Sequence, residues 1–177
     1  VKMNQNAHIT SAVCVTGQHR EMLDQVLDLF KITPDYDLNV MKRNQSLSEV
    51  TSNILSNLSQ VILEFRPDLV LVHGDTTSTF TAALSSFYHQ IPVGHVEAGL
   101  RTGNIHSPWP EEANRKLVST LTEMHFAPTK QAMDNLLREN IDKEDILITG
   151  NTVIDALFMI KNTIEMDSKL SDELGQK

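Results

Sequence analysis

The stretch PDLVLVHGDTTSTFTAALSSFYHQIPVGHVEAGLRTGNIHSPWPEEANRK, residues Pro67 to Lys116, decides the fold of this chain. It opens with the apolar run LVLVHG, and a second apolar run extends from Ile91 to Val96. Short continuous apolar runs are typical of parallel strands that are buried on both faces. Between the two runs, the hydroxyl- and alanine-rich segment after Asp75 predicts a helix. The stretch therefore predicts a strand–helix–strand unit of an α/β fold.

The same alternation of strand and helix patterns continues on both sides of this unit. Strands are predicted at 9–16, 36–41, 69–73, 91–96, 124–127 and 146–149. Helices are predicted at 19–32, 46–65, 78–88, 111–122 and 129–140, with a last one after Asn151 that carries apolar residues to Ile160. Ser46 and Glu49 have the spacing of a capping box at the start of the second helix. The alternation predicts a parallel sheet in a three-layer α/β domain.

Composition limits the class of protein and its compartment. The chain has 177 residues, 40% of them apolar, which is enough for one sizeable core. A net charge of -8 without an acidic block argues against non-specific binding to nucleic acid. The apolar runs are short and bounded by charges, so no membrane span or signal peptide is predicted. The single cysteine, Cys14, suits a reducing cytoplasm. Val1 is not an initiator methionine, so we expect the chain to be a fragment.

Charged residues follow the predicted strands. In open α/β sheets, ligands bind outside the carboxyl ends of the strands. The residues at or near those ends are Asp75, Glu97, Arg101, Glu111 and Arg115. Carboxylates and guanidiniums gathered at strand ends indicate an active site.

Each of these residues also has a simpler interpretation. Asp75 is placed to cap the following helix, and capping alone is about as probable as catalysis. Glu111 and Arg115 have i,i+4 spacing, which is worth roughly 0.3 kcal/mol as a surface pair. Glu97 is harder to explain structurally, because its apolar neighbours predict a perturbed pKa or a charged partner.

Three further residues have a structural interpretation. His73 and His95 are interpreted as core histidines more readily than as metal ligands, since their spacing is no metal signature. Trp109, between two prolines, is interpreted as a packing anchor for its loop. The chain has no GxGxxG, P-loop or CxxC motif. Composition and spacing alone thus reach an α/β domain with an acidic site at its strand ends.

Five motifs extend the interpretation: TGQHREMLDQVL, VHGDTTST, PVGHVEAGLRTG, SPWPEEANR and ITGNTVIDAL. Together they resemble the non-hydrolysing UDP-N-acetylglucosamine 2-epimerases of bacteria, from about Val13 to Leu157. That resemblance implies two Rossmann-like domains, with helices on both faces of each sheet, in the arrangement called GT-B. The chain would correspond to the first domain over 1–177. It would lack that domain's first strand and helix, and also the second, nucleotide-binding domain.

The implied truncation has a structural consequence. In a doubly wound sheet the first strand is central, between the second and the fourth. Without it, the strands at 9–16 and 69–73 would each expose an unpaired edge. We expect these two strands to be separated, and the chain by itself to be poorly soluble or inactive.

The resemblance also implies an activity and its residues. The expected reaction is the reversible C2 epimerisation of UDP-GlcNAc to UDP-ManNAc, through elimination of UDP to 2-acetamidoglucal and its re-addition. Asp75, Glu97 and Glu111 would be the catalytic carboxylates, and Arg115, His95 and Arg101 would bind the substrate. Arg115 is expected to orient Glu111 or to contact the substrate. No metal, redox cofactor, nucleic acid or membrane is implied, and the full-length protein is expected to be a cytoplasmic homodimer.

The resemblance further implies an allosteric site for a second UDP-GlcNAc molecule at Gln18, His19 and Arg20. Some relatives carry glutamine in place of Glu21 and arginine in place of Asn44, so the details of this site are open. Two other functions compete with the reversible epimerase. One is a hydrolysing 2-epimerase that releases UDP and ManNAc, and the other is a GT-B glycosyltransferase.

Overall fold

The computed structural model describes residues 3–17, 20–40 and 45–166. The strands are β1 (Cys14–Val15), β2 (Tyr36–Asp37), β3 (Val70–His73), β4 (Val93–Val96), β5 (Met124–Ala127) and β6 (Ile146–Ile148). The helices are α1 (Arg20–Leu29), α2 (Leu47–Phe65), α3 (Thr77–Tyr88), α4 (Glu111–Leu121), α5 (Lys130–Arg138) and α6 (Thr152–Met166). Short 3-10 turns at Met3–Gln5 and Lys143–Asp145 were not expected from the sequence. In the described part of the chain, no helix is both long and apolar enough to span a membrane.

All strand pairs are parallel, which confirms the predicted α/β class. β3, β4, β5 and β6 form one sheet in that order, and β1 and β2 form a second sheet of two strands. The strands expected at 9–16 and 69–73 therefore lie in different sheets.

The first two strands are much shorter than predicted. Among the described strands β1 pairs with β2 alone, and an aspartate side chain interrupts the start of the ladder, since the amide of Val13 donates to Asp35 Oδ2 at 2.7 Å. A strand with a partner on one side has half the ladder hydrogen bonds of a central strand. The apolar pattern was correct for these segments, but it does not fix how many of their residues are paired.

The helix boundaries follow local capping chemistry. Ser46 and Glu49 form both hydrogen bonds of the predicted capping box at the start of α2. Thr129 caps α5 through the amide of Ala132. α1 ends at Leu29, short of the predicted Ile32, because Lys31 has a left-handed φ of 52°.

Helices α3, α4 and α5 cover one face of the four-stranded sheet. Residues that pair across adjacent parallel strands share a face, so Val72, His95 and His125 point the same way. On this face, Val72 packs in one cluster with Ala83 of α3 and Val118 of α4. A second cluster joins residues of β5 and β6 to α5, and its members are Ala98, Ala127, Ala132, Leu136 and Ile146.

The opposite face of this sheet is more open. The row formed by His73, Val96, Phe126 and Leu147 lies there, and both of its ends are exposed. α2 links the two sheets, because its buried residues pack against Cys14 of β1 and Ala82 of α3.

The carboxyl ends of β3 and β4 lie side by side, with Asp75 and Glu97 immediately beyond them. After β4 the chain passes close to α5 at Gly99, which has a φ of 86°. A Cβ atom at Gly99 would lie 2.3 Å from the carbonyl oxygen of Ala132. Only glycine fits this crossing, which leads the chain into the loop that precedes α4.

Candidate active site

Asp75 is held by α4. Nε and Nη2 of Arg115 both donate to its Oδ2, at 3.0 and 2.6 Å, and Nδ2 of Asn114 donates to its carbonyl oxygen at 2.8 Å. Oδ1 of Asp75 has no hydrogen bond to any residue that the structure describes. The capping interpretation of Asp75 is wrong, since Thr76 caps α3 by accepting the amide of Thr79 at 3.2 Å. The carboxylate is therefore oriented by a cation and keeps one oxygen available.

The same guanidinium contacts a second carboxylate, that of Glu112. Nη1 of Arg115 donates to Glu112 Oε2 at 3.1 Å. Glu112 is fully buried and also accepts the amides of Thr102 and Gly103, each at 3.1 Å. Burial by itself would raise the pKa of Glu112, but the two amides and the guanidinium outweigh it and lower that pKa.

Glu111 lies apart from this network. The predicted pair between Glu111 and Arg115 does not form, because the guanidinium turns to Asp75 and Glu112 instead. Orientation of Glu111 by Arg115 is thus also excluded in this conformation. The Glu111 side chain is half-buried at the first residue of α4 and has no hydrogen bond or ion pair within the described residues.

Glu97 lies over the turn that ends β3. It has a left-handed φ of 67°, and its Oε2 is 3.8 Å from the position that a Cβ of Gly74 would occupy. Nε2 of His73 is 3.6 Å from the same oxygen, so the charged partner predicted for Glu97 is a histidine when that imidazole is protonated. His73 is exposed, and its interpretation as a core residue is wrong.

His95 is a core histidine, as one interpretation of the sequence expected. It is 1% exposed, and its Nε2 donates to the carbonyl oxygen of Gly74 at 2.7 Å. Burial lowers the pKa of His95 to about 4, so the ring is neutral at physiological pH. Its Nδ1 is buried without a partner in the described part of the chain. A substrate contact for His95 stays a prediction, whereas its contact with the peptide before Asp75 is direct.

Arg101 is engaged in the protein interior. Its Nε and Nη2 donate to the two carboxylate oxygens of Glu139 at 2.9 and 2.7 Å. Nη2 also donates to Ser119 Oγ, and Nη1 donates to the carbonyl oxygen of Leu100. The guanidinium ties the loop after β4 to α4 and α5, and its expected contact with a substrate stays a prediction.

The residues expected at the allosteric site are placed only in part. Gln18, His19 and Asn44 lie outside the described residues. Arg20 begins α1 and donates to Asp24 at 3.0 Å and to Asp37. Trp109 is exposed, so its interpretation as a packing anchor is wrong.

Two functional candidates were missed in the sequence, Glu112 and His73. Glu112 is adjacent to Glu111, and its i,i+3 spacing to Arg115 was an available signal that favoured contact. His73 gave no such signal, because a histidine at the end of an apolar run is compatible with either burial or exposure. Within the described residues, no group of three or more His, Cys, Asp or Glu side chains is arranged to hold a metal ion.

Comparison with known proteins gives a consistent result. A family model described as UDP-N-acetylglucosamine 2-epimerase matches residues 1–177. The chain is 61% identical over 159 residues to a UDP-N-acetylglucosamine 2-epimerase of Neisseria meningitidis, covering 90% of this chain and 43% of that protein. It is 55% identical over 175 residues to one from Salmonella typhimurium, covering 99% and 46%. The chain thus spans less than half the length of these relatives.

Solved structures agree with the sequence matches. The crystal structure of a UDP-GlcNAc 2-epimerase from Neisseria meningitidis bound to UDP-GlcNAc superposes with a TM-score of 0.93 at 56% identity, over 99% of this chain and 47% of that one. A Methanocaldococcus jannaschii UDP-GlcNAc 2-epimerase in complex with UDP-GlcNAc and UDP gives a TM-score of 0.89 at 31% identity, over 99% and 48%. These neighbours have the GT-B fold, so the chain has the fold of about half of such a protein.

Proposed function

Because this chain belongs to the UDP-N-acetylglucosamine 2-epimerase family, we propose that the full-length protein interconverts UDP-GlcNAc and UDP-ManNAc without net hydrolysis. The observation that carries the proposal is the cluster at the ends of β3 and β4. There Asp75 is fixed by Arg115 with one oxygen open, and Glu97 lies over the adjacent turn. The chain alone is proposed to be inactive, since it spans less than half the length of its relatives.

The chemistry requires acid/base groups on both faces of the sugar. The hydrogen at C2 is not acidified by a neighbouring carbonyl, so direct abstraction is unfavourable. In the proposed route the C1–O bond breaks first, and its electron pair leaves with UDP to give an oxocarbenium-like state. Loss of the C2 proton to a carboxylate then gives 2-acetamidoglucal. Re-addition of UDP at C1, with protonation of C2 on the other face, gives the epimer.

Asp75, Glu97 and Glu111 are the proposed carboxylates for these steps. Asp75 presents a free Oδ1, and the Glu111 side chain has no partner within the described residues, so both are available to a ligand. Among the described residues, the one ion-pair partner of Glu97 is the imidazole of His73, 3.6 Å away, when that ring is protonated. A carboxylate at the face of an oxocarbenium-like centre also stabilises its positive charge.

The departing diphosphate needs cations that this cluster does not offer. Arg115 already donates to Asp75 and Glu112. We therefore assign most of the diphosphate contacts to parts of the full-length protein that lie outside this chain. Arg115 then acts mainly on Asp75, with any substrate contact made through its remaining N–H groups.

The finer assignments rest on the resemblance. A second UDP-GlcNAc molecule is proposed to bind at Gln18, His19 and Arg20 as an activator, and the full-length protein is proposed to be a cytoplasmic homodimer. The ion pairs of Arg20 with Asp24 and Asp37 would compete with an anionic activator. Such an activator would have to displace them.

Incubation of the full-length protein with UDP-GlcNAc in D2O tests the reaction. We expect deuterium at C2 of both UDP-GlcNAc and UDP-ManNAc, because the abstracted proton exchanges with solvent before it returns. NMR spectroscopy of the sugar nucleotides, with an enzyme-free sample as control, measures it. Free ManNAc without UDP-ManNAc would instead assign the hydrolysing reaction. Full retention of hydrogen at C2 in both epimers would contradict the elimination route.

A further inference from the structure

We infer that Glu112 is a positioning residue, which holds the Arg115 guanidinium against Asp75 and anchors the loop between β4 and α4 to the start of α4. The expected effect of Glu112 on catalysis rests on the proposed function. Its anchoring of the loop and of Arg115 does not. Glu112 itself is buried and does not reach the open side of the cluster.

Both oxygens of the Glu112 carboxylate are used. Oε1 accepts the amide of Gly103, and Oε2 accepts the amide of Thr102 together with Nη1 of Arg115. All three partners are donors, so the site requires an acceptor on both oxygens. A glutamine at position 112 would direct an NH2 group at one of these donors.

Arg115 joins Glu112 to Asp75. Its Nη1 is held by Glu112, while its Nε and Nη2 are both committed to Oδ2 of Asp75. The guanidinium is planar and rigid, so fixing Nη1 fixes the direction of the other two N–H groups. Without Glu112, Arg115 would still attract Asp75, but its plane would no longer be set. The orientation of Asp75 thus depends on a residue that does not touch it.

Glu112 also organises the loop before α4. Its contacts to the amides of Thr102 and Gly103 join residues nine and ten positions apart in the chain. Thr102 in turn donates from Oγ1 to the carbonyl oxygen of Ser107 at 2.6 Å. The loop is therefore fixed at its beginning by Glu112 and at its middle by Thr102. One buried carboxylate places both the loop and the guanidinium.

A double-mutant cycle in the full-length protein tests the positioning role. We expect Glu112→Gln to lower kcat about tenfold or more, with KM for UDP-GlcNAc changed by less than about threefold, because the substrate is not touched. When Asp75→Asn is already present, adding Glu112→Gln should lower kcat by less than about twofold more. If the double variant instead loses the product of the two single-variant factors, the two residues act independently and the inference is overturned.

Ser46→Ala is the control for general stability. It removes the acceptor for the amide of Glu49 at the start of α2, outside the cluster. It should lower stability while leaving kcat within about twofold of the wild-type value. An equal loss of kcat in Ser46→Ala and Glu112→Gln would reduce the role of Glu112 to general stability, and would overturn the inference.

Backbone amide exchange gives a readout that needs no turnover. The amides of Thr102 and Gly103 should exchange about tenfold faster or more in Glu112→Gln than in the wild-type protein, whereas in Ser46→Ala their exchange should not change. Unaltered exchange in Glu112→Gln would overturn the inference. If the wild-type protein shows no epimerase activity, the proposed function fails. The exchange measurement still tests whether Glu112 anchors the amides of Thr102 and Gly103.

Glu112→Asp is the second variant, for the case in which Glu112→Gln does not fold. It keeps the charge but is one methylene shorter, so it cannot reach the loop amides and Arg115 together. We expect a smaller loss of kcat than for glutamine, and faster exchange of the same two amides. Wild-type exchange and wild-type kcat in Glu112→Asp would contradict the proposed geometry.

Discussion

At the scale of single residues, the surroundings of a side chain decide its role more than its type does. Glu111 and Glu112 are adjacent and chemically identical, yet only Glu112 is fully buried and bonded to Arg115. His73 on β3 and His95 on β4 lie on adjacent strands, yet His73 faces the exposed side and His95 the core. The candidate catalytic groups are carboxylates that keep at least one oxygen without a hydrogen bond to any described residue.

The three proposed catalytic carboxylates can be tested with nearly isosteric amides. Asp75→Asn, Glu97→Gln and Glu111→Gln should each lower kcat of the full-length protein by about 10²-fold or more, which is the range for lost acid/base catalysis. Steady-state kinetics with UDP-GlcNAc measures this. Glu123→Gln, at an exposed position, is the control and should match the wild-type protein. Wild-type kcat in Asp75→Asn would remove Asp75 from the mechanism.

The buried imidazole of His95 predicts a pH dependence of stability. Its pKa is lowered from 6.5 to about 4 by burial, so between these values the unfolded chain binds a proton that the folded protein does not. The contribution of neutral His95 to the free energy of unfolding is fully present above about pH 6.5. It is lost as pH falls toward 4, by up to about 1.4 kcal/mol per pH unit. Burial also lowers the pKa of His125, which adds to the same trend.

Urea denaturation at several pH values between 4.5 and 7 measures this dependence. His95→Gln keeps a donor for the carbonyl oxygen of Gly74 but does not titrate. We therefore expect a shallower loss of the free energy of unfolding toward low pH in this variant than in the wild-type protein. Identical slopes in the two proteins would show that His95 is already protonated in the folded state.

At the scale of elements, the ends of helices bring the site together. α4 begins with Glu111 and Glu112 and turns Arg115 toward the end of β3. α3 is capped by Thr76, which leaves Asp75 free to meet Arg115. The capping of α2 at Ser46 serves stability instead, because this helix links the two sheets through its buried face.

The capping box of α2 can be removed without touching the site. Ser46→Ala loses the acceptor for the amide of Glu49 and should lower the free energy of unfolding by about 1 kcal/mol. Chemical denaturation measures the loss, and kcat of the full-length protein should not change. Glu49→Gln is the matched control, because glutamine also completes a capping box and should cost less. A loss in Glu49→Gln as large as that in Ser46→Ala would contradict the expectation that the hydroxyl of Ser46 is the main contribution of the capping box.

At the scale of the whole molecule, the two sheets are incompletely covered. β3 is an edge strand of its sheet, and Leu71 on its open face is exposed. α6 also presents a set of exposed apolar side chains, namely Val153, Ile154, Leu157 and Phe158. Open strand edges and contiguous apolar faces favour association with other polypeptide. The expected absence of a first strand between β1 and β3 stays a prediction.

The isolated chain of 177 residues should therefore be poorly soluble and catalytically inactive. We expect it to bind the dye ANS and to elute as oligomers or aggregates in size-exclusion chromatography, since Leu71 on the open face and the apolar side chains of α6 are exposed within the described residues. The full-length protein under the same conditions is the control and should bind much less dye per chain. A monodisperse, dye-negative monomer would contradict this prediction.

The sequence by itself determined the α/β class, the order of the elements and most helix limits. Apolar periodicity and capping signals are local, and they act within a few residues. The Ser46–Glu49 box and β5 at Met124–Ala127 were predicted to the residue. Five motifs, among them those around Asp75 and Glu97, indicated the family by their order and spacing along the chain, without any knowledge of contacts.

Only the tertiary structure decided which charged groups meet. Arg115 binds Asp75, 40 positions away, in preference to Glu111 four positions away. The i,i+4 contact is worth only tenths of a kcal/mol on an exposed helix, whereas the pairing of the partly buried Arg115 and Asp75 is reinforced by several directed hydrogen bonds. The spacing of residues along the chain does not show which of the two carboxylates Arg115 binds, because that depends on how β3 and α4 pack against each other. The roles of Asp75 and Glu112 therefore follow from the packing of these elements, not from their positions along the chain.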